Sequence, residues 1–407
     1  MKDKLSPLLR PLLLITAMFA AMGGPALAPA LPEIKATYHA IPDIEFWTKW
    51  LVGISGLFAA IGAPLFGWLS DNWGRRRSLV LALAGWGVFG GSGMIEQPFW
   101  MLLMGRAGLG LSLGGLLAAN TALIAESFGS MERRRMMGLQ STCTSLGVIF
   151  SLIISGWLAE LHWHWCFSLY LLALVALPLA LLTPTPKASP APTGERPPSP
   201  FVGSFLLITL FALLGMAAFN VIPTQIPFFL KQEGDYAARH LGMALTIMPI
   251  VSGITARFYA TISRTTGLWN LFLMGGGFLM AGFFAISFSH GSMLSLTGMA
   301  LVGIGIGISM PHVNVVMATI IPPRSVGRAL GFLAGCKFLG LFASPLIMQP
   351  VLAASGYRDM FRFAGVLLFL GAVLLAVAGP RFHARDVRNG RCLTDEPTPV
   401  HNNPEGV

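Results

Sequence analysis

Charge is what this sequence has least of. Asp, Glu, Lys and Arg make up 11% of the 407 residues, hydrophobic residues make up 54%, and mean hydropathy is +0.70. Soluble globular proteins carry about a quarter charged residues, so this chain lacks the charge to coat the two or three water-facing domains its length would make. Cysteine is scarce as well. Cys143, Cys166, Cys336 and Cys392 form no CxxC pair and three lie in apolar stretches, which argues against a disulfide framework or a zinc site. There is no Walker glycine loop, no HExxH and no nucleophile elbow, which argues against an enzyme and against ATP as a driving force. None of the 17 Asp and Glu residues falls near the middle of an apolar run.

Long apolar runs are what the chain does have. A hydrocarbon core about 30 Å thick needs roughly 20 residues of helix to cross it, and hydropathy predicts twelve such spans. They lie at roughly 11–32, 50–70, 78–95, 98–124, 137–159, 164–183, 201–229, 239–261, 268–289, 292–321, 328–353 and 361–380. Backbone in lipid must satisfy its own hydrogen bonds, and no period-2 barrel pattern is present, so the expected class is an all-α membrane protein. The first span imitates a secretory signal, with Lys2, Lys4 and Arg10 ahead of an apolar run ending Ala26-Leu27-Ala28. Pro29 would follow the cut and the apolar run continues past it, so the segment reads as a retained helix.

The net charge of +10 is explained by placement rather than by a nucleic-acid partner. An even number of spans puts both termini on one side, and 19 of the 27 Lys and Arg fall there, against six on the other. Those six are Lys35, Lys49, Lys231, Arg239, Arg358 and Arg362. Positive loops stay inside, so both termini are expected in the cytoplasm of a bacterial inner membrane. The remaining two, Arg106 and Lys337, sit inside spans.

The chain also repeats itself. An ungapped shift of 193 residues aligns Gly105, Ala107, Gly110 and Gly114 with Gly298, Ala300, Gly303 and Gly307, and Gly74 with Gly267. The same shift pairs Gly147 with Gly340 and Ser151 with Ser344. Two six-helix halves are expected, at 1–183 and 201–380, joined by a Pro-rich cytoplasmic linker at 184–200 and followed by a polar tail at 381–407. Duplication of this kind is common in transport proteins.

Between the second and third spans the chain reads Gly67-Trp-Leu-Ser-Asp71-Asn-Trp-Gly74-Arg75-Arg76-Arg77. This resembles the G-x-L-x-D-R-x-G-R-R signature of the major facilitator superfamily, whose members have twelve helices in two pseudo-symmetric halves. The resemblance implies a gating role for Gly67, Asp71, Gly74, Arg75 and Arg76, which in the family latch the outward-open state. Asn72 replaces the usual basic residue, and the second-half equivalent keeps Gly267 but has Arg264 in place of the aspartate. Met22-Gly23 followed by Pro29-Ala-Leu-Pro32 is similar to a pattern of the twelve-helix drug and metabolite:proton antiporters. Arg106-Ala-Gly-Leu-Gly110 is similar to their R-x-x-x-G coupling motif. Their G-P-x-x-G-G signature is degraded here to Ser151-Leu-Ile-Ile-Ser-Gly156.

Two residues stand out as site candidates. The repeat keeps the glycines around Arg106 but replaces the arginine by Met299, and it sets Lys337 against Thr144. An ionised side chain in a span is costly and functional by default. For Arg106 the alternatives are substrate binding or coupling, and a structural tie to backbone carbonyls. For Lys337 they are the same functional role and snorkelling to the interface. Asn220, Gln225, His312 and Asn314 are softer candidates, because the family's first, fourth, seventh and tenth spans line its cavity. His312 could also carry a proton.

The functional expectation is a secondary transporter working by alternating access, an exporter of small organic molecules such as drugs or metabolites. The two buried cations and missing carboxylates favour an acidic substrate. No cofactor is expected, with the proton gradient or membrane potential as drive. The expected partners are a small-molecule substrate and the lipid bilayer, with no nucleic acid, and the chain is expected to act as a monomer. The rival is a proton-coupled importer of an organic acid or sugar. A non-transporting membrane sensor is more remote, since the linker and tail are too short for a signalling domain.

Overall fold

The computed structural model describes residues 8–128, 130–183, 203–233, 236–289, 292–321 and 326–388. Among these every regular element is helical. In chain order the passes are α1 (Leu9–Thr37), α2 (Ile44–Trp73), α3 (Arg75–Gly91), α4 (Phe99–Ser127), α5 (Ser130–Leu161) and α6 (Trp163–Leu182). The second set is α7 (Gly203–Glu233), α8 (Ala238–Thr265), α9 (Asn270–Ser287) and α10 (Ser292–Ile320), then the 63-residue stretch Val326–Arg388. That stretch is two passes. Gly356, at φ 78° and ψ 178°, reverses the chain in a backbone region that side-chain-bearing residues rarely enter, separating α11 (326–355) from α12 (357–388). Ten helical stretches among the described residues are long and apolar enough to cross a membrane; with the last divided at Gly356 and the shorter α3 added, the arrangement is consistent with the twelve expected spans. The first and last described helical residues, Leu9 and Arg388, lie on one face, called terminal here, and the opposite face is called distal. The linker 184–200 and residues 389–407 lie outside the described residues, and α12 stays helical to Arg388, past the hydropathy boundary at 380.

Local sequence explains the irregular elements. In α1 the helix Leu9–Met22 gives way to a 3-10 stretch, Pro25–Ala30, before Leu31–Thr37 resumes. Pro25, Pro29 and Pro32 offer no backbone N–H, so the regular ladder cannot run through them. The consequence is local: Leu27 N–H donates to Gly24 O rather than Gly23 O, which leaves the Gly23 carbonyl free. Between α2 and α3 the turn rests on Gly74, at φ 94°, closed by Ser78 Oγ donating to Phe66 O at 3.2 Å.

Glycine spacing sets the packing, and it does so twice. A Cβ on Gly303 of α10 would lie 2.7 Å from Met248 O of α8, and one on Gly307 would lie 2.6 Å from Ser252 O. Gly110 and Gly114 of α4 crowd Ser55 O and Ala59 O of α2 in the same way. Each carbonyl partner is displaced along the chain by the same 193 residues as the glycine it meets, so the sequence repeat is a repeat of contacts. Small residues let membrane helices approach closely where no hydrophobic force draws them together. Large apolar side chains such as Val88, Met104, Val175 and Leu182 stay exposed on the outside, as lipid contact requires.

The two halves meet along two crossings toward the distal face. On one, Gly53 and Gly56 of α2 pack against Phe338, Leu341 and Phe342 of α11. On the other, Gly156 of α5 packs against Ala238, Arg239 and Gly242 of α8, and Arg239 pairs with Glu160 at 3.5 Å. Toward the terminal face the same helices diverge. Cβ atoms placed on Gly67, Gly138, Gly331 or Gly335 would meet nothing within 4 Å. The two halves are thus in contact distally, while these terminal-side positions meet no neighbour.

Candidate functional site

Arg106 lies in the second turn of α4 and is 1% exposed. Its guanidinium is spread over three helices: Nε donates to Leu51 O of α2 at 2.7 Å, and one terminal nitrogen to Tyr170 Oη of α6 at 2.8 Å. The other donates to Gly23 O of α1 at 2.5 Å. Tyr170 Oη donates to the same Gly23 carbonyl at 2.9 Å. The proline-rich break in α1 thus exposes a carbonyl, and the rigid donor fork of arginine fills it. No carboxylate touches Arg106 among the described residues. Of its two sequence readings, the geometry realises the tie to backbone carbonyls.

Lys337 is placed differently. It stands one residue before Phe338, whose carbonyl meets Gly56, on the terminal side of the α2–α11 crossing. Its Nζ donates to Asn314 Oδ1 of α10 at 2.8 Å. Lys337 is half-buried and Asn314 exposed. No carboxylate pairs with this ammonium among the described residues. The structure therefore brings two of the six candidates together as a cation held by a neutral amide.

The other candidates make interhelical ties. Asn220 Nδ2 of α7 donates to Leu341 O of α11 at 3.1 Å. His312 is fully buried, with Nε2 2.7 Å from Leu268 O and Nδ1 2.9 Å from Tyr259 Oη of α8. The carbonyl requires a proton on Nε2, so in the neutral imidazole Nδ1 accepts from the tyrosine hydroxyl. Gln225 is 1% exposed and its Oε1 has no hydrogen-bond partner. None of these three contacts Lys337 or Arg106.

Asp71 is 63% exposed at its side chain and pairs with Arg75, one turn on, at 2.7 Å. Arg76 is exposed, and Gly67 faces open space rather than a neighbouring helix. Gly74 forms the turn.

One cluster escaped sequence reasoning. Lys49, counted among the distal loop charges, is fully buried in the second turn of α2. It donates to Glu45 Oε1 at 2.8 Å and to Gln349 Oε1 of α11 at 3.2 Å, under the rings of Phe228 and Tyr357. Glu45 also accepts from Lys35 at 2.6 Å and from Tyr357 Oη at 2.5 Å. The i, i+4 spacing of Glu45 and Lys49 was visible, and so was their repeat-related pair, Ala238 and Gly242. The partners some 300 residues away were not.

The comparisons with known proteins follow the same lines. The family model for the Major Facilitator Superfamily matches residues 13–345. The chain is 25% identical over 381 residues to the class C tetracycline resistance protein of Escherichia coli, covering 90% of this chain and 94% of that one. It is 24% identical over 356 residues to the bacillibactin exporter of Bacillus subtilis, covering 82% and 86%. A crystal structure of a D-xylose–proton symporter superposes with a TM-score of 0.76 at 16% identity, over 93% of this chain and 98% of that one. The family carries solutes across membranes rather than transforming them, and with its apolar helices, its doubled contacts and a family match over most of its length, this chain belongs to the major facilitator superfamily of secondary transporters.

Proposed function

We propose that the protein exports small organic acids from the cytoplasm by proton antiport, the two halves (1–183 and 201–380) rocking about the α2–α11 and α5–α8 crossings. The observation that carries the acidic substrate is Lys337: a cation just to the terminal side of the α2–α11 crossing whose side-chain partner among the described residues is the neutral Asn314. Placing an ammonium in a span without a counter-charge is costly, and a substrate carboxylate, phosphate or other acidic group would supply that charge. Export is supported by the names of the relatives, a tetracycline resistance protein and a bacillibactin exporter.

The bias of positive charge toward the terminal face supports a bacterial inner-membrane location with both termini cytoplasmic. In that orientation the side on which the helices diverge is inward-facing. His312, linked through Tyr259 to the less buried side of α8, is the proposed proton carrier. With the interior negative, an anion moving outward gains about 2.3 kcal/mol per charge per 100 mV, so little proton coupling is needed. One chain encloses the whole path, which supports action as a monomer.

The test is uptake into inverted membrane vesicles energised by a proton gradient, with a panel of labelled organic acids and matched organic bases. Gradient-dependent accumulation of acids by wild type, lost in Lys337→Met and partly kept in Lys337→Arg, is expected. Accumulation of bases, or of acids equally by Lys337→Met, refutes the acidic-substrate reading.

A further inference from the structure

The buried ion pair on the distal face is an odd way to close a seam. At the repeat-related crossing the positions of Lys49, Gln349 and Glu45 are held by Gly242, Gly156 and Ala238. There the two glycines pack backbone to backbone, with a Cβ on Gly156 3.2 Å from Gly242 Cα and 3.0 Å from Ala238 O. Among the described residues, the fold thus closes one of its two seams with small residues, its one ion pair there, Arg239–Glu160, being partly exposed. Packing alone does not require Lys49 and Glu45 in the other.

Which contacts cross the seam decides what the pair does. Lys49 and Glu45 share α2, one turn apart, and Lys35 comes from α1 of the same half. The crossing partners are Tyr357, which donates to Glu45, and Gln349, which accepts from Lys49. Phe228 and Tyr357, also from the other half, lie over the ammonium. Opening the distal face would leave the ion pair intact on α2, break two hydrogen bonds, and admit water to two ions. Water already stands close. Distal clefts of about 580 and 660 Å3 are both lined by Glu45 and Tyr357.

We infer that the Lys49–Glu45 pair is a release device rather than a clamp: the hydration it regains on opening offsets the loss of the Tyr357 and Gln349 contacts, so the distal seam closes without locking. The physical basis is the desolvation of a buried ion pair, which its mutual attraction repays only in part, so that an apolar pair of similar volume often holds a contact more tightly. Breaking such a pair by removing one partner has the opposite effect, because a lone buried charge is left behind. A carrier that must pass through both states in each cycle needs a seam of this balanced kind. The inference rests on the alternating-access reading, but not on the direction of transport or the charge of the substrate.

The experiment uses the full chain in lipid nanodiscs with Cys143, Cys166, Cys336 and Cys392 replaced by alanine and one cysteine introduced at Val52. Val52 is 6% exposed and packs with Leu31 and Phe228 under the distal seam, so its reaction with a soluble maleimide reports distal opening without any substrate. Tyr357→Phe removes a crossing contact and is expected to raise the rate severalfold. Glu45→Gln strands Lys49 and is expected to raise it about tenfold or more. The combined variant Glu45→Leu, Lys49→Met is expected to lower the rate about tenfold below wild type. Labelling of the combined variant at or above the wild-type rate would show that the pair is a clamp and overturn the inference. That result would leave the exporter reading untouched, and loss of the exporter reading would not change these rates. Should Glu45→Gln fail to insert, Tyr357→Phe and the combined variant still decide the matter.

Discussion

The substitution Gly56→Ala isolates the crossing on which alternating access depends. A Cβ at residue 56 would lie 2.7 Å from the Phe338 carbonyl oxygen and 2.9 Å from Leu341 Cβ. A comfortable carbon–oxygen contact is about 3.3–3.6 Å, so α2 and α11 would have to part by roughly 0.6–0.9 Å. The obstructing carbonyl belongs to helix backbone and cannot swing aside as a long side chain would. Overpacking of this kind costs about 1–3 kcal/mol. The cost falls on the distally closed state, because the crossing parts when the distal face opens. The ratio of closed to open molecules should therefore fall by about 5- to 150-fold. The Val52 cysteine reads this as faster maleimide labelling in nanodiscs. Gly335→Ala, in open space on α11, is the control and should change the rate by less than about threefold. Equal labelling rates for the two variants would mean that the α2–α11 crossing does not close the distal face.

Four further outcomes are expected. Gly67→Ala meets nothing in the present state but would obstruct closure of the terminal face, so it should slow Val52 labelling, the reverse of Gly56→Ala. Arg106→Met removes three interhelical hydrogen bonds and leaves Tyr170 as the one side-chain donor to Gly23 O; a melting measurement in detergent should show a loss of about 1.5–3 kcal/mol, and a melting point within a degree of wild type would contradict the bracing role. Tyr259→Phe strips His312 Nδ1 of its donor and should cost about 1–3 kcal/mol in the same measurement, while Tyr259 on the less buried side of α8 makes proton-driven turnover the more sensitive readout. Gly356→Ala forces a side chain into an extended positive-φ conformation at about 1–3 kcal/mol and should disturb Tyr357 next to it, again seen as faster Val52 labelling.

The parts of this molecule that were legible in its sequence are those governed by local or periodic rules. Span positions followed from the hydrocarbon thickness, although α2 starts at Ile44 rather than near 50 because Glu45 and Lys49 lowered its hydropathy while being internally paired. The repeat was legible because helix packing fixes where glycines stand, and both copies of α4 and α10 obey it. The Gly23 pattern and the Arg106 pattern were read as separate motifs, whereas in space they are one joint: a carbonyl freed by prolines and the arginine that binds it. Lys337 was singled out, and its Asn314 partner was among the candidates without being matched to it. The distal cluster was out of reach because a positive residue at a span end looks like a topology charge. Its burial depends on Phe228, Gln349 and Tyr357, which lie far along the chain.

The most direct test is metabolite profiling of cytoplasm and medium in a strain lacking the protein, complemented with wild type or with Lys337→Met. An acidic metabolite should accumulate inside the deletion strain, and wild type but not Lys337→Met should restore its release to the medium. Failure of the deletion strain to take up a nutrient would contradict export, and full restoration by Lys337→Met would contradict the cationic site.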